Sequence, residues 1–195
     1  MRFRWNKRAN RGLSRYHQKH RFASNFGYEL PIGPGKKWLA LNGFGGKLVE
    51  GWQVQGILSL ATGFPFTPTA NTVHGTGSFV PQFANRISDG NLPGDQRTVE
   101  RWFDTAAFRR PAVGTFGTSG RNVLIGPGIA NLDFAMQKNS RLAETVTLQF
   151  RAESFNILNK AQFFEPIANV DSGTFGRITS AADPRRIQFG LKLLF

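Results

Sequence analysis

The 195-residue sequence contains no cysteine, so disulfide bonds, thiolate metal ligands and a cysteine nucleophile are excluded. It also lacks any run of roughly 18 apolar residues, which excludes a transmembrane helix. Tyrosine is scarce at 2 residues, whereas phenylalanine and glycine are abundant at 19 and 22. The hydrophobic fraction is only 40%. Such a fraction is low for a helical membrane protein, but it suits strands in which only alternate residues contact lipid.

Acidic residues are also few, 12 against 25 lysines and arginines, which gives a formal net charge of +13. A strongly basic chain invites a nucleic-acid interpretation. Most of the excess, however, is one amino-terminal run of eight cations and no acid: Arg2, Arg4, Lys7, Arg8, Arg11, Arg15, Lys19 and Arg21. Such runs are usually solvated or disordered. We therefore predict a basic irregular segment at residues 1–19 and no nucleic-acid partner. The run also lacks the apolar stretch and cleavage site of a secretory signal.

Five segments alternate apolar and polar residues, a pattern that predicts β-strands with one apolar and one polar face. They are His20–Leu30, Val49–Thr62, Ile129–Lys138, Thr145–Leu158 and Arg186–Phe195. The last segment is about ten residues long, the length that a tilted strand needs to cross a bilayer. Its alternation and its final aromatic residue resemble the closing strand of bacterial outer-membrane barrels. There this ending is the signal for the barrel-assembly machinery, here carried by Phe189, Leu191, Leu193 and Phe195.

The connections between the five strands are sorted by length. Those after the first and third strands are shorter, and those after the second and fourth, residues 63–128 and 159–184, are long. Because antiparallel strands alternate in direction, all long loops emerge at one end, as in outer-membrane barrels. We therefore predict an all-β fold, an antiparallel transmembrane β-barrel segment of about five strands with long extracellular loops. Residues 63–128 show no sustained period, apart from one or two helical turns that are compatible with Thr98–Phe103.

Several short stretches, taken together in their order, carry a family resemblance. They are His20–Phe22 with Tyr28–Pro31, Gly51–Gly56, Gly63–Phe66, Trp102–Phe108, Gly114–Gly117, Gly120–Asn122, Gly126–Gly128, Leu148–Glu153, Phe155–Asn156, and Asp183–Arg185 with Phe189–Leu191. They resemble the carboxy-terminal part of TonB-dependent outer-membrane receptors, in particular the subgroup with a carboxypeptidase-regulatory-like amino-terminal domain. The resemblance covers residues 20–195, which we predict to be the C-terminal part of an outer-membrane β-barrel.

The resemblance implies a plugged barrel of about 22 strands that imports scarce ligands with energy relayed from the inner membrane. This sequence shows five strands, no plug and no box for the energy-coupling protein. We therefore expect a fragment of a receptor that contributes barrel wall and extracellular loops in the outer membrane. The implied partners are outer-membrane lipid, the barrel-assembly machinery, and a missing plug and remaining strands through which the TonB system acts.

Two sets of side chains are candidates for function within the barrel. A hairpin at residues 139–144 places Asp133 directly or diagonally opposite Arg151, so we predict a charge pair in the barrel lumen. This network is expected to neutralise lumen charge rather than to contact substrate. The long loop offers four aromatic residues as a candidate ligand-binding surface: Phe79, Phe83, Trp102 and Phe108. Loops on a rigid scaffold commonly carry binding, and packing of the loop onto itself is the alternative.

One alternative function comes from another class of protein, a soluble β-rich binding module whose basic amino-terminal arm contacts polyanions. It requires exposed aromatic residues interleaved with cations on one sheet face. The predicted strands instead pair an apolar face with a largely neutral polar face. The sequence shows no arrangement that predicts a catalytic, cofactor or metal site, and we do not expect an enzyme.

Overall fold

The computed structural model of the chain describes residues 10–71 and 82–195. Its elements in chain order are β1 (Arg21–Glu29), α1 (Gly43–Val49), β2 (Trp52–Ala61), β3 (Pro65–Phe66), β4 (Thr69–Ala70), β5 (Gln82–Phe83), β6 (Asn85–Arg86), β7 (Phe108–Arg109), β8 (Leu124–Ile125), β9 (Ile129–Arg141), β10 (Thr147–Phe155) and β11 (Arg186–Leu194). Two short 3-10 helices span Gly94–Gln96 and Thr105–Ala107. No helix in the described ranges has the length and apolarity needed to span a membrane.

The five long strands form one sheet in the order β1-β2-β9-β10-β11. The ends of each strand agree with the ends of a predicted segment to within three residues. The prediction of an all-β fold is therefore confirmed. The β9–β10 and β10–β11 pairs are antiparallel. The main addition is α1, which the sequence pattern did not predict because three of its seven residues are glycine.

Contacts divide the chain into two compact units. The sheet unit comprises Phe22–Leu60, Ala130–Ala161 and Asp183–Phe195, and the loop unit comprises Met1–Arg21, Ala61–Ile129 and Gln162–Ala182. This division differs from the predicted split after residue 19. Part of the basic segment belongs to the loop unit, where the Asn122 side-chain amide donates to the Leu13 carbonyl oxygen at 2.6 Å.

The loop unit has its own core, although residues 63–128 show no sustained period in the sequence. Short strands pair as β3 with β8, β4 with β5, and β6 with β7. The buried cluster consists of Phe66, Ala84, Phe103, Ala107, Phe108 and Leu124. The two long connections fold together, since the Thr69 amide donates to Ala168 at 2.8 Å and the Val170 amide donates to Thr69 at 2.9 Å. The pattern failed here because strands of two residues are too short to show a period.

The helical turns of this loop lie on either side of Thr98–Phe103, at Gly94–Gln96 and Thr105–Ala107. Thr98 forms a turn instead, with its hydroxyl accepting from the Arg101 amide at 3.0 Å. Asp104 caps the helical residues Thr105–Ala107 by accepting from the Ala106 amide at 3.3 Å. A side-chain oxygen that binds the free amides of a first turn is the usual helix start signal.

Candidate functional site

The sheet has one apolar face, which is mostly half-buried on β2, β9 and β10 and exposed on β11. Residues that lie opposite one another in a ladder share a face, and the register places Phe150 opposite Leu191 and Ala152 opposite Phe189. The Phe150 ring stacks on Phe189 with 6.2 Å between centroids and contacts Trp52 edge-on at 6.5 Å. Phe189 and Leu191 are nevertheless 72% and 70% exposed. A row of large apolar side chains that no described residue covers indicates contact with an apolar surrounding.

One close packing contact fixes the β1–β2 part of this face. A Cβ atom added to Gly56 on β2 would lie 2.3 Å from the Phe26 ring on β1. The far end of the Phe26 ring therefore occupies the space that the glycine leaves open. Cross-strand packing of an aromatic ring over a strand glycine compensates for the missing side chain. This contact places Phe26 and Gly56 on the same face of β1 and β2.

The opposite face is polar and hydrogen-bonded. On it, the Gln149 amide donates to the Asn139 side-chain oxygen at 3.0 Å, and the Arg151 guanidinium binds the Glu153 carboxylate at 2.6 Å. Gln188 on β11 also donates to Glu153. Three adjacent strands are thus linked by polar side chains on one face, as expected for the wall of a polar lumen.

A concavity of about 470 Å³ lies on this polar face across β1, β2, β9 and β10. Asn25, Gln55, Asp133, Arg151 and Glu153 contribute its polar groups. Ile57 and Phe155 add apolar surface, so the polar side of the sheet is not uniformly hydrophilic. The arrangement can hold a ligand or a protein segment by hydrogen bonds, but it contains no nucleophile paired with a base.

The predicted Asp133–Arg151 pair is wrong in its partner, although both residues line this concavity. The strand β9 continues to Arg141, and the register pairs Arg151 with Gln137 rather than with Asp133. Arg151 binds Glu153, two residues away on the same strand face. The hairpin turn lies later than predicted, at residues 142–146, where the Leu142 amide donates to the Val146 carbonyl oxygen at 2.9 Å. A shift in the turn changes the register of every pair in the hairpin.

Asp133 instead stabilises the turn that follows β10. Its carboxylate accepts from the Asn156 amide at 2.8 Å and from the Asn131 side chain at 3.0 Å. Asn156 has a φ of 53° and its side chain bonds both the amide and the carbonyl oxygen of Lys160, at 3.1 and 3.0 Å. Asparagine tolerates this left-handed conformation better than most residues. The sequence signal for this turn was Phe155-Asn156 followed three residues later by Asn159, which also has a positive φ of 49°.

The candidate ligand loop is largely a core. Phe83 and Phe108 are 1% and 4% exposed, and Trp102 packs against the same buried cluster while its indole donates to the Ile125 carbonyl oxygen at 2.9 Å. The Phe103 ring contacts Phe108 at 5.9 Å. Phe79 lies outside the described residues. Of the two interpretations left open by the sequence, packing of the loop onto itself therefore fits the three described aromatics.

The loop unit presents charged groups at a different place, which the sequence did not indicate. A concavity of about 480 Å³ is lined by Arg15, Arg121, Asn122 and Glu165, among others. The Arg15 guanidinium lies 3.7 Å from the Glu165 carboxylate. Partial burial raises the pKa of Glu165, and the nearby charge of Arg15 opposes this rise. These residues lie far apart in the sequence, so only the fold brings them together.

The closing strand carries the four residues of the predicted assembly signal. Phe189, Leu191 and Leu193 share the apolar face of β11, and Phe195 follows the end of the strand and is 92% exposed. Across residues 10–71 and 82–195, no group of three or more histidines, aspartates and glutamates is placed to hold a metal ion.

An antiparallel sheet with an exposed apolar face, an opposing polar face and loops sorted to one end defines a transmembrane β-barrel wall. A family model described as an outer membrane beta barrel domain matches residues 2–188. The chain belongs to this family, and its location is the outer membrane. Neither the curated proteins nor the solved structures that were compared with the chain gave a match. Family membership and the exposed apolar residues argue against the alternative of a soluble module that uses its basic arm on polyanions.

Proposed function

We propose that this chain contributes barrel wall and extracellular loops to a TonB-dependent outer-membrane receptor that takes up a ligand. The observation that carries the proposal is the two-faced sheet, apolar toward lipid and hydrogen-bonded toward a lumen. The ordered stretches from His20–Phe22 to Phe189–Leu191 support this receptor class over other barrels of the family. Because transport needs a plug and the TonB system, the proposed role is structural and not enzymatic.

The edges of the sheet support the proposed partners. In the described sheet, β1 and β11 are the outer strands, and their residues are almost all exposed. Lipid does not tolerate unpaired backbone groups. We therefore infer that further barrel strands pair with both edges, and that a plug fills the lumen beside the polar face. The apolar ending Phe189, Leu191, Leu193 and Phe195 is proposed as the signal for the barrel-assembly machinery.

The loop unit supplies the proposed extracellular surface. Its aromatic residues are used for packing, whereas Arg15, Arg121 and Glu165 line an open concavity. A guanidinium group binds carboxylates and phosphates through two parallel hydrogen bonds. We therefore assign ligand approach to this concavity rather than to Phe83, Trp102 and Phe108.

The test uses antibodies against residues 82–128 on the source cells. The expected result is labelling of intact cells and recovery of the antigen in the outer-membrane fraction, together with a plug-bearing polypeptide. That assembly should cross-link to the energy-coupling protein. Recovery in the outer membrane without any plug-bearing polypeptide would contradict the TonB-dependent class while leaving the barrel itself intact.

The proposed assembly signal is tested separately, by the amount of the chain that is inserted in the outer membrane. Phe195→Ala should lower the amount of the chain inserted in the outer membrane, with Leu194→Ala on the polar face as the matched control. Equal insertion of both variants would remove the assembly signal from the proposal.

A further inference from the structure

The connection between β1 and β2, residues 31–51, exposes an unusual amount of apolar surface. Five of its large side chains are exposed: Trp38, Leu39, Leu41, Phe44 and Leu48. The Phe44 side chain on α1 is 79% exposed, and Leu48 one turn later is 55% exposed. Residues four apart share a helix face. The helix thus presents an apolar face that the described residues of the sheet unit do not cover.

Two side chains of the lipid-facing side of the sheet hold this helix. The Trp52 indole donates to the Leu48 carbonyl oxygen at 3.1 Å. The Lys138 ammonium donates to the carbonyl oxygens of Lys47 at 2.9 Å and Glu50 at 2.6 Å. Cations bind the free carbonyl groups at a helix carboxyl end favourably. The carboxyl end of α1 is therefore fixed by groups that belong to the apolar face.

The face assignment of these two residues rests on the register. Lys138 lies opposite Phe150, which lies opposite Leu191 on the apolar side of β11. Trp52 contacts the Phe150 ring, and the Lys138 ammonium lies 5.5 Å from the centre of the Trp52 ring. The helix is consequently attached on the lipid side of the wall and not on the polar side. This end of the sheet is also the end with the short β9–β10 turn.

The charges of the connection match an anionic surface. Residues 31–51 contain three lysines, Lys36, Lys37 and Lys47, and one acid, Glu50. The Lys37 ammonium lies 5.6 Å from the centre of the exposed Trp38 ring. Tryptophan beside lysine is typical of a membrane–water boundary, because the ring packs in the interface while the ammonium reaches lipid phosphate.

We propose that residues 31–51 form an interfacial membrane anchor. In it, α1 lies in the headgroup layer at the short-turn end of the barrel wall, with Phe44 and Leu48 among the acyl chains and Lys37 and Lys47 toward lipid phosphates. The occupant is an anionic phospholipid surface, because the exposed helix face continues the lipid-facing side of the sheet. A helix of this kind lies in the interface without spanning the bilayer.

The test exploits the absence of cysteine, which makes every introduced thiol unique. Phe44→Cys and Leu48→Cys are labelled with a nitroxide in the full chain, which is assembled with its further barrel strands and reconstituted in phosphatidylethanolamine and phosphatidylglycerol vesicles. Phe189→Cys provides the lipid reference. Val113→Cys provides the water reference, since Val113 is 78% exposed in the loop unit. The measurement is accessibility to oxygen, which concentrates in lipid, against accessibility to a water-soluble nickel chelate.

Labels at 44 and 48 are expected to favour oxygen several-fold more than the label at 113. Accessibility to nickel equal to that at 113 would overturn the anchor. Shielding of position 44 from both reagents would mean a protein cover and would also overturn it. If the label at 189 also reported water, the wall assignment would fail together with the anchor, so the two failures are distinguishable.

The anionic part of the proposal has its own variant. Replacing Lys37 and Lys47 by glutamine should raise nickel accessibility at position 44 in vesicles that contain phosphatidylglycerol, but not in phosphatidylcholine vesicles. The control is Lys192→Gln, which removes a cation from the polar face of β11. An equal effect of the control would overturn the role of the two lysines.

Discussion

The two units use the same residue type in opposite ways. In the loop unit, Phe66, Phe103 and Phe108 are at most 4% exposed, and Phe103 contacts three other rings at 5.1–5.9 Å. In the sheet unit, Phe26 and Phe189 are 47% and 72% exposed. The loop unit forms a protein core for its aromatics, whereas the sheet presents them to lipid. Hydrophobic content alone therefore does not define a protein core, because the lipid bilayer also provides an apolar surrounding for aromatic side chains.

The largest effect is expected where a ring is enclosed by protein. Phe103→Ala should leave a cavity among Phe66, Phe108 and Phe175 and lower the free energy of unfolding of the loop unit by about 3–5 kcal/mol. Phe189→Ala is the matched control, and it should cost much less in lipid vesicles, because acyl chains fill the space. Denaturant titration of the reconstituted chain measures both. Equal losses of unfolding free energy in the two variants would contradict this difference, because they would show that Phe189 also depends on packing against protein.

A charge placed on the apolar face tests the surrounding of that face. Leu191→Arg should destabilise the inserted sheet by about 2–4 kcal/mol, the cost of arginine facing mid-bilayer lipid. Gln188→Arg on the polar face of the same strand is the control, and it should be nearly neutral because Glu153 lies beside it. The measurement is the free energy of unfolding in vesicles. An unchanged free energy of unfolding for Leu191→Arg would mean that the exposed face does not contact lipid.

A smaller effect is expected from the packing within the apolar face itself. Gly56→Ala should displace the Phe26 ring, since the new Cβ atom would lie 2.3 Å from it. Overpacking of this kind costs about 1–3 kcal/mol. Gly190→Ala is the matched strand control, because its added Cβ atom would meet nothing within 4 Å. Thermal unfolding of the two variants sharpens the comparison, and an equal response would show that Phe26 moves aside without cost.

The sequence predicted the sheet well because strands of nine to thirteen residues repeat a two-residue period often enough to be recognised. It predicted the partner of Arg151 wrongly, because pairing across a hairpin depends on the position of the turn. The within-strand partner Glu153 was visible in the spacing of two residues. The packing of the loop unit was not predictable, since Thr69 meets Ala168 and Val170 across about a hundred residues of sequence, and no local pattern encodes such a contact.

The smallest effect is expected from a charged group, the Glu165 carboxyl, which lies in partly buried surroundings in the loop unit. Burial raises the pKa of this carboxyl, with Arg15 opposing the rise. The folded chain therefore binds this proton more tightly than the unfolded chain does. The resulting stability is fully present below the ordinary pKa of 4.5 and is lost as the pH rises through the raised value.

Glu165→Gln should remove this dependence, so the variant's unfolding midpoint should change less than that of the parent chain as the pH rises from 4 to 7, with pH-dependent denaturant titration as the measurement. The control is Glu144→Gln, an exposed residue in the short β9–β10 turn. The expected difference is small, because the Glu165 side chain is 41% exposed and water screens its charge. A steeper fall in the variant than in the parent chain would mean that attraction to Arg15 outweighs burial. In that case Arg15 would stabilise the Glu165 carboxylate in the concavity of the loop unit, and the positive charge there would favour an anionic group over its neutral form.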